Sequence, residues 1–189
     1  MKSPKDAREN ASGDAARKAS GAAKQDAKVI PLGEWLKTLR GAAGEMAKGS
    51  LRFDPLPPGA RGAAASDAGP DAGEPGAYIA VLSPNNAVHL GLSARPEQCR
   101  AIARALLGLR SDEPLAEHDV VDGLSEVMNI LAGKVKASMA GRDGQLHLGL
   151  PMFVANPIKA GGDSESAAED VKLGPVDCTL RVYRRQRAA

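Results

Sequence analysis

With 189 residues, 43% of them hydrophobic, and a formal net charge of +2, the chain is long enough for one domain with a real core and short for two. Residues 1–28 carry seven Lys/Arg against four Asp/Glu, so the rest of the chain is slightly acidic and offers no basic surface of the kind that holds nucleic acid. Two distant cysteines without a C-x-x-C exclude a disulfide framework, and no run of about 18 apolar residues is present to cross a membrane.

In chain order, residues 1–28 are Ala, Lys, Asp, Ser and Gly with no large aliphatic after Met1, which predicts a disordered charged tail. This N-terminus also lacks the apolar core of a signal peptide, so a reduced, cytoplasmic domain over 29–189 is expected. Pro31 opens a helical pattern to about Lys48, with Leu32, Trp35, Leu36, Leu39 and Met46 on one face and Gly41 and Gly44 weakening its middle. Residues 51–53 could form a short strand. Residues 55–76, dense in Pro, Gly, Ala and Asp, read as a long flexible loop.

Two apolar or alternating runs, 78–83 and 87–93, are joined by Ser-Pro-Asn-Asn and predict a hairpin, with Val88, Leu90 and Leu92 on one face and His89 on the other. Pro96 opens a second helix that buries Cys99, Ile102, Ala103, Leu106 and Leu109. A third, amphipathic helix is expected over 118–140, stopping near Gly141. Leu146, Leu148 and Leu150 then alternate with Gln145, His147 and Gly149 as a half-solvated strand. Residues 157–169 read as a polar loop, and 171–173 and 178–183 give the last strands. The order predicts an α+β domain: a largely antiparallel sheet packed with two long helices and an N-terminal helix.

Most chemistry-bearing residues fall to ordinary readings. His89, His118 and His147 share no ligand spacing, so a metal site is not expected. Cys99 lies on an apolar helix face, where a thiol is inert. Phosphate-binding glycine loops and a G-x-S-x-G elbow are absent. The arginines 181, 184, 185 and 187 are expected to keep an exposed final strand soluble.

One stripe resists that treatment. At about 100° per residue, Asp122, Glu126, Asn129 and Gly133 line one side of the third helix, and Val120, Leu124, Val127, Leu131 and Val135 gather on the other. Solvated helix faces are full of acids, and Glu126 could simply pair with Lys134 or Lys136. Yet Asn is a mediocre helix former with no structural reason to sit there, and Gly133 costs about 1 kcal/mol against Ala while removing bulk beside the pair. An exposed acid and amide one turn apart are well placed to position a water molecule.

The run Asp122-x-x-x-Glu126-x-x-Asn129, with Gly133, Lys136 and a strand reaching Leu150-Pro151, resembles the CheX branch of the CheC/CheX/FliY chemotaxis phosphatases. In that family the pattern runs Asp or Ser, three residues, Glu, two residues, Asn, about 22 residues, Pro. Here 21 residues separate Asn129 from Pro151, a departure of one that bears on the register of that strand. The motif occurs once, whereas CheC-type proteins usually carry two copies.

The resemblance implies hydrolysis of a phosphoaspartate on a CheY-type response regulator in two-component signalling. Asn129 would orient the attacking water, and Glu126 would pair with the regulator's lysine. Asp122 and Gly133 would be flanking contacts. It further implies no cofactor of the chain's own, Mg2+ supplied by the regulator, and a homodimer formed through the sheet. The alternatives are a non-catalytic adaptor that has kept the fold, and a nucleic-acid contact through the basic termini.

Overall fold

The computed structural model describes residues 29–53, 74–156 and 164–185. The expected tail 1–28 and almost all of the expected loop 55–76 lie outside these residues, as does Arg187.

The elements are α1 (Leu32–Gly49), β1 (Gly76–Leu82), β2 (Ala87–Ser93), α2 (Pro96–Leu107), α3 (Glu117–Met139), β3 (His147–Leu148), β4 (Met152–Val154), β5 (Ser164–Leu173) and β6 (Val176–Arg185). All strand pairs are antiparallel, in the order β3-β1-β2-β6-β5, with β4 also pairing β1. This is the expected α+β architecture.

Period-two alternation puts Ala77, Ile79 and Val81 of β1, Val88, Leu90 and Leu92 of β2, and Cys178, Leu180 and Val182 of β6 on one buried face. Against that face α1 brings Trp35, Leu39 and Met46, and α3 brings Leu124, Val127, Met128, Leu131 and Val135, all buried in one core. The α1 helix is continuous despite Gly41 and Gly44. Its burial of Trp35, Leu39, Ala42, Ala43 and Met46 outweighs the two weak positions.

The α2 helix begins at Pro96, and the side chain of Gln98 accepts from the Arg95 N–H at 3.2 Å. It stops at Gly108, whose φ of 68° is one that glycine adopts without strain. Leu109 therefore lies beyond the helix and, like Leu106, is only half-buried; Ala105 fills the buried face instead.

Three further expectations are corrected. Residues 51–53 form no strand, because their backbone is engaged by helices: the Leu51 N–H donates to Met46 and the Arg52 N–H to Ala105. Residues 164–169, expected in a polar loop, are strand. They pair with β6 from Ser164 opposite Arg185 to Glu169 opposite Leu180, so register with a buried neighbour overrides their weak strand composition. Nor is the final strand an exposed one. The β6 strand lies inside the sheet between β2 and β5, and Arg184 is largely buried, donating to the Ile30 carbonyl and lying 3.9 Å from Glu165.

The strand expected at 146–150 is also different, and informatively so. Leu148 pairs with Val81, and the Gly149 N–H donates to the Ala80 carbonyl at 2.8 Å. Met152 then pairs with Tyr78, so that both Leu150 and Pro151 stand opposite Ile79. Two residues against one is a β-bulge. Pro151 has no N–H to give the ladder, so the edge strand breaks into β3 and β4 at that point. Leu150, expected on a buried alternation, is instead 86% exposed.

Candidate functional site

The site is built on α3. The helix starts at Glu117, and Asp119 accepts from the Ala116 N–H at 2.9 Å; acids in this first turn complement the helix dipole. Near its start α3 lies against α2 so closely that a Cβ on Gly123 would fall 2.9 Å from that of Ala103. Just past its end, Asp143 accepts from Ser83 Oγ at 2.5 Å and from Asn86 Nδ2 at 2.8 Å, in the turn between β1 and β2. The helix is thus held at its start against α2 and, just past its end, at the β1–β2 turn.

Asp122, Glu126 and Asn129 are exposed and Gly133 is half-buried, on the side away from the sheet as the spacing predicts. Asn129 Nδ2 donates to Glu126 Oε2 at 3.4 Å, a long hydrogen bond that holds the pair together weakly. Most of the amide's hydrogen-bonding capacity therefore faces solvent. Lys134 does not reach Glu126; it pairs with Glu45 of α1 at 3.1 Å. Among the described residues Glu126 has no ion-pair partner, and Asp122 has neither hydrogen bond nor ion pair.

An added Cβ at Gly133 would meet nothing within 4 Å, so the fold itself does not require a glycine there. Among the described residues the stripe's polar groups converge on nothing beyond the Glu126–Asn129 contact. An open cleft of about 390 Å³ lies elsewhere, by Ser83, Asn85 and Arg184, and none of the four stripe residues lines it.

The other candidates stay apart. His89, His118 and His147 lie exposed on β2, at the start of α3 and on β3. Among the described residues no three His, Cys, Asp or Glu side chains are grouped as a metal would need. Cys99 and Cys178 are buried free thiols. Burial, assisted by Glu74, pushes the Cys99 thiol up to about 12. Burial, assisted by Asp177, does the same to Cys178, so neither is a thiolate nucleophile near neutral pH.

Leu150, read from the sequence as a buried strand residue, is exposed instead. The available signal was Pro151 beside it, since a proline within a strand pattern marks an edge or a bulge.

Residues 77–160, which contain the whole stripe and Pro151, match the family model of chemotaxis phosphatase CheX. The structure is similar to that of a chemotaxis protein CheX from Desulfovibrio desulfuricans, with 18% identity and a TM-score of 0.59, covering 79% of this chain and 97% of that one. It is similar also to a CheX from Borrelia burgdorferi solved in a complex with CheY, BeF3 and Mg2+, at 15% identity and a TM-score of 0.57, covering 85% of this chain and 100% of that one. A chemotaxis protein CheX from Vibrio vulnificus matches at 15% identity with a TM-score of 0.54, covering 80% of this chain and 97% of that one. No curated protein sequence matches the chain. The CheX resemblance read from the motif therefore stands, in the matched segment and in the fold.

Proposed function

We propose that this CheX-like chain is a phosphatase that hydrolyses the phosphoaspartate of a CheY-type response regulator, in chemotaxis or related two-component signalling. The observation that carries the reading is the exposed Glu126–Asn129 pair, 3.4 Å apart on the solvent face of α3 and without a duty in the fold. The match of residues 77–160 to a phosphatase family, and a similar fold solved together with CheY, support it.

Hydrolysis of an acyl phosphate needs little covalent help from the protein. It needs a water held in line with the phosphorus and the developing charge neutralised. A side-chain amide suits the first task, because it can accept a hydrogen bond from the water and donate one to an oxygen beside it. Asn129 has that role. Glu126 pairs with the lysine of the regulator's active site and sets the docking register, since among the described residues no cation pairs with it. Asp122 and Gly133 flank the contact, the first as a polar neighbour and the second by leaving room.

Mg2+ enters with the regulator, so that the chain supplies half of a composite site. The same reading carries a homodimer through the sheet, which sedimentation of the full-length protein tests.

The decisive measurement is the decay of phosphorylated CheY-type regulators from the same genome, with and without the protein. Acceleration of one regulator by wild type is expected, lost in Asn129→Ala with binding retained, and with both weakened in Glu126→Ala. A wild-type protein that binds a phosphorylated regulator without speeding its decay is an adaptor and not an enzyme. Absence of both effects across all regulators removes the reading.

A further inference from the structure

Of the two lysines on α3, one is engaged by the fold and the other is not. Lys134 is half-buried and pairs with Glu45 of α1 at 3.1 Å. Lys136 is exposed and, among the described residues, has neither hydrogen bond nor ion pair. A cation in the last turn of a helix complements the helix dipole, which is the ordinary use of such a residue. The position of Lys136 gives it another.

Because α3 is one continuous helix from Glu117 to Met139, helical geometry alone places Lys136 in the stripe. Counted from Asn129 it is two turns on, about 10.5 Å along the axis and about 20° round it. Gly133 lies between them. Helical side chains lean toward the N-terminus, so Lys136 leans over the turn at Gly133. Asn129 leans the other way, toward Glu126, to which it bonds at 3.4 Å. Gly133 puts no side chain into the gap, and the fold does not ask for a glycine there, since a Cβ would meet nothing within 4 Å. The exposed face of α3 thus runs from acids through an amide to an open space with a cation beyond it.

We propose that Lys136 binds the phosphoryl group of the receiver, and that through it the chain tells a phosphorylated receiver from a bare one. The inference rests on the phosphatase reading and extends it from hydrolysis to selection of the substrate's state. The other stripe residues cannot make that distinction. Asn129 is neutral, Glu126 is matched to a cation, and the charges of Asp122 and Glu126 repel an anion. A phosphoryl group brings negative charge and strong acceptor oxygens, which an ammonium meets as counter-charge and donor. With Asn129 holding water on the side of attack, Lys136 comes to an oxygen at the flank of the phosphorus. It therefore holds substrate and transition state alike, which acts on KM and leaves kcat unchanged.

The competing role is a general one, in which Lys136 attracts any acidic surface whatever its phosphorylation state. Lys134 is the control for it. It carries the same charge two residues away, but on a side of the helix tied to Glu45 and not in the stripe.

The test uses the full-length protein and the CheY-type receiver whose decay wild type accelerates most, bare or loaded with Mg2+ and BeF3, which occupies the phosphoryl position without being hydrolysed. Lys136→Met should weaken binding of the loaded receiver about tenfold, the size of one hydrogen bond to a charged group. Binding of the bare receiver should not change. KM for the phosphorylated receiver should rise to the same extent at unchanged kcat. Lys136→Arg should restore most of the affinity, and Lys134→Met should leave the ratio of the two affinities as in wild type. An equal loss for loaded and bare receiver in Lys136→Met, or the same change of ratio in Lys134→Met, assigns the effect to general charge and overturns the inference. Unchanged binding in Lys136→Met, with Asn129→Ala still inactive, overturns it while leaving the phosphatase reading intact. If wild type accelerates no receiver, both readings fall together.

Discussion

The acids of α1 and those of the α3 stripe lie on the same helical layer and meet different fates. Glu34 of α1 pairs with Arg142 at 2.9 Å and Glu45 with Lys134 at 3.1 Å, so both tie α1 to α3 or to the residues just after it. Asp143 is tied still more firmly, with two donors from the β1–β2 turn. Asp122 and Glu126 have nothing comparable: one has no partner among the described residues, the other only a long contact to the amide beside it. Acids that serve the fold are met by groups from other elements. Acids that await a partner are left with solvent, and the cation nearest in sequence is drawn off to α1.

That contrast predicts opposite outcomes for the two kinds of residue. Asn129→Ala should lower the rate of regulator dephosphorylation by about a hundredfold or more, the size of effect seen when one preorganised hydrogen-bonding group is removed from a reacting centre. Its stability should remain within about 0.5 kcal/mol of wild type, as expected for an exposed position away from packing and caps. Urea denaturation and single-turnover decay on the same preparation give both numbers. A large loss of stability in Asn129→Ala would place the amide among the residues that hold the fold.

Asp143→Ala should do the reverse. It deletes the acceptor for Ser83 and Asn86, and Asn86 is only 2% exposed, so its amide would be left buried and short of a partner. The expected cost is about 2–3 kcal/mol, read as a shift of the denaturation midpoint at constant m-value. Turnover per folded molecule should be retained, since Asp143 lies past the end of α3, well beyond Glu126 and Asn129. Loss of activity without loss of stability would break the separation between the two groups of acids.

How much of this was legible from the sequence depended on how local the cause was. The third helix, its two faces and the stripe follow from a 3.6-residue period sustained over 23 residues, and the β1–β2 hairpin follows from alternation on either side of a turn. The strand character of residues 164–169 could not be read there, because it comes from pairing with β6 and not from Ser, Glu and Ala themselves. Arg184 was misread for the same reason. Nothing in its neighbours says that β6 is flanked by β2 and β5, and only that placement turns a solubilising arginine into a partly buried one that bonds the Ile30 carbonyl. The bulge was half legible. Pro151 marks a break in an edge strand, but which neighbours the strand slips against is set by β1, far earlier in the chain.

Gly133 gives the smallest and most discriminating effect. In a helix interior, alanine is favoured over glycine by about 1 kcal/mol, and here an added methyl would touch nothing within 4 Å. Gly133→Ala should therefore raise stability by up to about that amount. If the glycine serves only the helix, nothing else should change. If its clearance belongs to the docking surface, the methyl group has to be accommodated by the receiver, and KM should rise while the melting temperature also rises. A variant that is both more stable and a poorer partner marks the glycine as kept for docking. One that gains stability with KM unaltered confines recognition to Glu126 and Asn129.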